Sequence, residues 1–289
     1  MKLQEQDVPR DDSVNSIDAA HPTGQYAPSF INSIVEFFSK TWTIAEWEVR
    51  KIRHDSTDLV TRAVQPALWL LVFGEVFAKL RAIPTGSNVG YLDFLAPGIL
   101  AQSVLFISIF AGIAIIWERD LGVIHKFLAS PTPRLSLVVG KALSSGIRAL
   151  PQAIVIYLLA LILGVKMNFN PLALLGVLIV AVLGAGCFST FSLIIACLLK
   201  TRDRVMGIGQ VLTMPLFFAS NAIYPISAMP AWLQVVARLN PLSYIVDALR
   251  SLMIMNAPPG NLPLDFVVII AVTIVMVIIG SILYPRIVQ

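Results

Sequence analysis

Long apolar runs follow one another along this chain with only brief interruptions, and that feature confines it to a bundle of helices in a membrane. Crossing a bilayer takes roughly 20 mostly apolar residues. Six runs meet that need, at about 59–80, 92–116, 136–165, 172–199, 205–224 and 264–284. Backbone in lipid must satisfy its own hydrogen bonds, so continuous apolar runs become helices. Composition agrees: the 289 residues are 57% hydrophobic and only 13% charged, against roughly a quarter charged in a soluble domain. The expected fold is an all-α polytopic membrane protein with six transmembrane helices.

Two segments precede the spans. Residues 1–28 are polar, with Asp11, Asp12 and Asp18 among Ser, Pro and Gly. They predict a disordered tail and lack the apolar core of a signal peptide. Within 29–57, Ile31, Ile34, Val35, Phe38, Trp42, Ala45 and Val49 recur at helical spacing, while Glu36, Lys40, Glu48, Arg50 and Lys51 take the other faces. That pattern predicts an amphipathic helix lying in the membrane interface. An ordinary helix of a small soluble domain is the alternative, but no soluble core lies nearby for it to cover. The six-span domain then occupies 58–289.

Basic residues orient the spans. On one side fall Arg50, Lys51, Arg53, Arg119, Lys126, Arg134, Lys141, Lys200, Arg202, Arg204 and Arg286. The other side carries Lys79, Arg81, Lys166, Arg238 and Arg250. The richer side should be cytoplasmic, and with six spans both termini lie there. The net charge of +4 is modest, and no nucleic-acid partner is expected.

The stretch 115–134, IIWERDLGVIHKFLASPTPR, breaks the apolar pattern on that cytoplasmic side. Leu121, Ile124, Phe127 and Leu128 predict a short helix with one apolar face. Glu118 and Asp120 sit near its start, where a helix dipole favours negative charge, and Pro131 and Pro133 stop it. Such a helix suits a groove in another protein. Lying against the membrane is the alternative. On the opposite side, the connection before the last run contains two short helical pieces, Ala231–Leu239 and 242–253, divided by Asn240-Pro241. Both are too short to span, so they are expected as re-entrant or interface-lying helices.

An enzyme would need catalytic or metal-binding groups, and the patterns for these are missing. There is no His-Glu-x-x-His, no Gly-x-Ser-x-Gly, and Gly140-Lys141 lacks the upstream glycine of a phosphate loop. The chain is therefore not expected to hydrolyse ATP or to be an enzyme by itself. Gln102, Ser103, Ser108, Met206, Gln210, Thr213 and Ser220 punctuate the second and fifth runs. They could face a translocation path, or serve helix packing. Phe106, Phe110 and Phe217 are aromatic candidates for the same path.

Three motifs resemble the membrane subunits of ABC-2 type exporters, of the daunorubicin-resistance and nodulation-export kind. Glu118-Arg119, Gly122, Ser130-Pro131 and Gly140-Lys141 follow the family order. LAPGIL at 95–100 resembles the entry to the second span, and Asn240, Pro241, Ala248, Leu249 and Arg250 resemble a late motif. The chain departs from the pattern in carrying Val123-Ile124-His125 where relatives often have Thr-Leu-Glu. This resemblance implies a homodimer paired with two copies of a separate ATPase, which would bind ATP and magnesium; the chain itself would hold no cofactor. It implies that residues 29–57 form the connecting helix. It also implies that Glu118, Arg119, Leu121, Gly122, Ile124, His125, Lys126, Phe127, Ser130 and Pro131 belong to the coupling helix that meets the ATPase. Cargo would be a lipid, a lipid-linked glycan or an amphipathic drug, carried out across a bacterial-type plasma membrane among membrane lipids. A polysaccharide exporter and a stand-alone secondary transporter are the alternatives, the latter weakened by the lack of paired repeats and midplane ion ligands.

Overall fold

The computed structural model describes residues 39, 42, 43, 46, 50, 64–80, 90–122, 124, 133–199, 201–255 and 260–288. The chain enters through a helical stretch from residue 64 that tightens into a π-helical turn, Trp69–Phe73, and continues as α1 (Gly74–Leu80). Then come α2 (Tyr91–Ile113), α3 (Ile115–Asp120), α4 (Arg134–Ile162), α5 (Pro171–Leu198) and α6 (Arg202–Phe218). A 3-10 turn at Ile226–Ala228 leads to α7 (Ala231–Leu239), α8 (Pro241–Met253) and α9 (Leu262–Leu283). Of the segment 29–57, five residues are described, all helical, with an Arg50–Glu46 ion pair of 2.7 Å one turn apart.

Among the described residues, four helices are long and apolar enough to cross a membrane: Tyr91–Asp120, which joins α2 to α3, then Arg134–Ile162, Pro171–Leu198 and Leu262–Ile287. The other two expected spans are helical but shorter. The first is described only from residue 64. The fifth, expected over 205–224, stops at Phe218 because Ser220 and Asn221 begin a turn there. Its 17 residues rise about 26 Å, just under the roughly 30 Å hydrocarbon core.

Helix α5 is the hub on which α2, α4, α8 and α9 pack. Its buried face is built of small residues, among them Gly184, Ala185, Gly186, Ser189 and Thr190, which let helix backbones approach closely. The Ser192 hydroxyl donates to the Ile109 carbonyl at 2.7 Å and joins α5 to α2. Most other buried hydroxyls bond within their own helix. Ser103, Ser108, Ser144, Thr190 and Thr213 each donate to the carbonyl four residues back. Helix α9 is apolar on every side, and Val267, Ile274, Ile278 and Ile282 are exposed, as lipid contact demands.

At one end of the bundle, the connection from α4 to α5 joins the exit of α8. Met167 pairs with Ile254 in an isolated antiparallel bridge. The Asn168 N–H donates to the Met253 carbonyl at 2.7 Å, and the Met255 N–H to that of Lys166 at 3.1 Å. Asp93, in the first turn of α2, accepts from the Lys166 N–H at 3.0 Å. The opposite end gathers the charged residues that follow α2.

Candidate functional site

At the charged end, the chain leaves α2 through α3 and turns at Gly122. The Gly122 N–H donates to the Arg119 carbonyl at 2.9 Å, and its φ is +72°. A Cβ there would meet nothing within 4 Å, so backbone conformation, not space, selects the glycine. Glu118 forms an ion pair with Lys141 on α4, and both side chains are largely buried. Asp120 pairs with Arg202 at the start of α6 and with Arg119 at 3.1 Å. The two ends of one sequence motif, Glu118-Arg119 and Gly140-Lys141, are thus bonded across 23 positions. These contacts tie the 115–122 segment to α4 and to α6.

Of the residues expected to form one apolar face after α3, Leu121 is 76% exposed and Ile124 is fully buried. The two therefore do not share an environment. His125, Lys126, Phe127, Ser130 and Pro131 lie outside the described residues. Removing the Glu118 carboxylate leaves the Lys141 ammonium partly buried without that acceptor. Glu118→Ala should lower stability by about 1–3 kcal/mol, and the exchange Glu118→Lys with Lys141→Glu should recover part of the loss. Thermal unfolding of the two variants in detergent checks this.

The other end is closed by the residues of the late motif. Asn240 is nearly fully buried and serves both helices it separates. Its Oδ1 accepts from the Leu242 N–H at 3.0 Å, capping α8, and Pro241 takes the first helical position, where a missing N–H costs nothing. Its Nδ2 donates to the Leu216 and Ala219 carbonyls at 2.7 and 3.1 Å, completing the end of α6. Asn240→Ala should cost about 1–2 kcal/mol through the lost cap. Asn240→Asp should restore only the cap, so its melting temperature should fall between those of the wild type and the alanine variant.

Arg250 lies almost wholly inside the protein. Its Nη1 donates to Asp247 at 3.1 Å and its Nη2 to the Asn221 carbonyl at 2.8 Å. The guanidinium stacks 3.8 Å over the Phe94 ring of α2. Burial lowers its pKa to about 10, so it stays charged at neutral pH. Asn221 in turn donates to Asp247, and the Tyr91 hydroxyl reaches the Ile223 carbonyl at 3.3 Å. The turn 219–225 is therefore clamped between α2 and α8. Gly98 makes this possible, because a Cβ at that position would stand 2.2 Å from the Ala222 carbonyl oxygen. Sequence reasoning picked out Asn240, Pro241 and Arg250, and Gly98 within LAPGIL without its packing role, but missed Asp247 and Asn221. The signal for Asp247 was its place one turn before Arg250.

Among the path candidates, Gln102, Phe106 and Phe110 line a single cavity between α2, α4 and the stretch entering α1. The α6 candidates are not part of it. Gln210 is exposed, the Thr213 hydroxyl bonds to the Gly209 carbonyl, and Phe217 is fully buried with its ring 6.2 Å from that of Trp69. Among the described residues no group of three His, Cys, Asp or Glu could hold a metal ion.

The pattern of the ABC-2 type transporter family matches residues 39–254. This chain belongs to the ABC-2 type transporter family. It is 28% identical over 224 residues to a putative transport permease, ycf38, of Cyanophora paradoxa, covering 76% of this chain and 77% of that one. The daunorubicin resistance ABC transporter permease DrrB1 of Streptomyces coeruleorubidus is 25% identical over 201 residues, or 70% of each chain. A probable multidrug ABC transporter permease of Escherichia coli K12, YbhR, is 25% identical over 171 residues, 59% of this chain and 46% of that one. The ABC-2 match spans both ends described above, from the charged turn to the Arg250 clamp. The protein is accordingly a membrane-embedded transport subunit, of a family that works with an ABC ATPase subunit.

Proposed function

We propose that this chain is the membrane subunit of an ATP-driven exporter, working as a homodimer with two copies of a separate ATPase. The observation that carries the reading is the ion-paired junction at the charged end. Glu118 grips Lys141 and Asp120 grips Arg202, so the segment leading into residues 122–134 is bonded to two further helices. A push from a bound ATPase would reach α4 and α6 at once. The positive-inside distribution of basic residues favours a cytoplasmic position for this end, where ATP is available. The six-span topology, the connecting helix at 29–57 and the re-entrant placing of α7 and α8 belong to the same proposal.

At the far end, the clamp of Arg250, Asp247, Asn221 and Asn240 would hold the exit closed between cycles. The cavity lined by Gln102, Phe106 and Phe110 would belong to the cargo's route. Relatives named for daunorubicin resistance and multidrug transport favour an amphipathic cargo over a polysaccharide, in a bacterial-type plasma membrane. Gly122→Pro forbids the positive φ and removes the N–H bonded to Arg119. Phe127→Asp places a charge on the proposed contact helix. Both should abolish ATP-dependent transport in inverted vesicles while leaving the membrane part folded, and wild-type transport in both would refute the assignment.

A further inference from the structure

The cavity inside one protomer has an unusual lining for its depth. It has a volume of about 70 Å³, room for about five waters. Gln102 of α2 and Gln152 of α4 point into it, 1% and 2% exposed. Among the described residues, neither amide has a hydrogen-bond partner at its oxygen or its nitrogen. Gln102 lies 11 positions after the start of α2, and Gln152 lies 10 before the end of α4. At 1.5 Å per residue both sit about 15 Å from the same end of the bundle, near the middle of a hydrocarbon core roughly 30 Å thick. Buried amides without partners are costly, and two facing one cavity at midplane call for an occupant. By contrast, the buried hydroxyl of Ser103, which also lines the cavity, is already satisfied by the Ile99 carbonyl.

The lining selects the occupant's chemistry. Gln65, Gln102 and Gln152 offer amides, Phe106 and Phe110 offer rings, and none of the described lining residues is ionisable. Each amide presents a donor and an acceptor, which matches a hydroxyl or a carbonyl. A phosphate or an ammonium would find no counter-charge among the described lining residues, at a depth where charge is expensive. We propose that this cavity is an intramembrane site for the neutral head of an amphiphile bearing hydroxyl or carbonyl groups. Gln102 and Gln152 bind that head, and the two phenylalanines pack against its adjoining apolar part. The described lining residues all belong to one chain. Its use as a cargo site rests on the exporter reading; its chemistry does not.

The test uses the full-length chain in phosphatidylcholine nanodiscs without any ATPase. Three photoreactive probes share one diazirine-bearing acyl chain and differ only in head group: monoacylglycerol, lysophosphatidic acid and a primary fatty amine. Mass spectrometry maps the labelled peptides. Monoacylglycerol should label the 102–110 segment preferentially, and Gln102→Leu with Gln152→Leu should cut that labelling about tenfold through the lost hydrogen bonds. The double variant should melt no lower than the wild type, since the amides make no hydrogen bond to the described residues. Gln152→Met, nearly isosteric, repeats the comparison by itself. Equal labelling by all three heads, no labelling of 102–110, or labelling unchanged by the leucine substitutions would overturn the site. Because no ATPase takes part, these outcomes are independent of whether an ATPase complex forms.

Discussion

Gly98→Val should yield little folded protein, and Gly98→Ala should lose about 3 kcal/mol. The added Cβ would stand 2.2 Å from the Ala222 oxygen, 2.8 Å from its carbonyl carbon and 2.9 Å from its Cα. All three are backbone atoms, so no side chain can swing aside. Either α2 bends or the turn 219–225 moves away. Moving the turn also breaks the bonds from Arg250 to the Asn221 carbonyl and from Tyr91 to the Ile223 carbonyl. Gly207 on α6 is the control: a Cβ there meets nothing within 4 Å, and alanine is the better helix former by about 1 kcal/mol. Thermal unfolding in detergent should therefore separate the two alanine variants in opposite directions. Similar melting temperatures for Gly98→Ala and Gly207→Ala would disprove the close approach.

Arg250→Ala should be as damaging, at about 3–5 kcal/mol. It strips the buried partner from Asp247, the donor from the Asn221 carbonyl and the cation from the Phe94 ring. Arg250→Lys should recover less than half. A lysine carries one point charge, whereas the planar guanidinium stacks on the ring and donates in two directions together. Asp247→Asn in the alanine background should restore some stability, because it removes the carboxylate left without its cation. A lysine variant with wild-type stability would mean that charge alone, without stacking or fork geometry, holds the clamp.

The helices of this protein were largely legible because lipid imposes one solution on an apolar run. Four of the six expected spans appear as long apolar helices, and the break between α7 and α8 falls where Asn240-Pro241 placed it. The fifth was read too long. Ala219 to Ile223 is apolar enough to extend a hydropathy window, yet Ser220 and Asn221 turn the chain, and Asn240 from another helix satisfies the carbonyls left behind.

What could not be read was which distant residues meet. Glu118 and Lys141 belong to one motif, but its spacing does not say that they touch. Phe94 and Arg250 are 156 positions apart, and only the packing of α8 on α2 brings them together. Gly98 followed Pro97 like any turn-prone pair, so its role against the Ala222 backbone was hidden. Gln152 is a single glutamine in an apolar run, which also fits ordinary helix packing. Its meaning comes from Gln102 on a neighbouring helix at the same depth. The hydroxyls that looked like lining for a path proved to be bonded to their own helices, which is how a serine or threonine most cheaply enters lipid.

The most direct measurement is purification of the full-length chain together with the ATPase expressed alongside it, in detergent, with and without Phe127→Asp. A stable complex holding two copies of each subunit is expected, lost in the variant while the membrane dimer survives. An ATPase that fails to bind the wild type, or that binds the variant equally well, would contradict the claim that the turn after Glu118 is where this transporter receives its power.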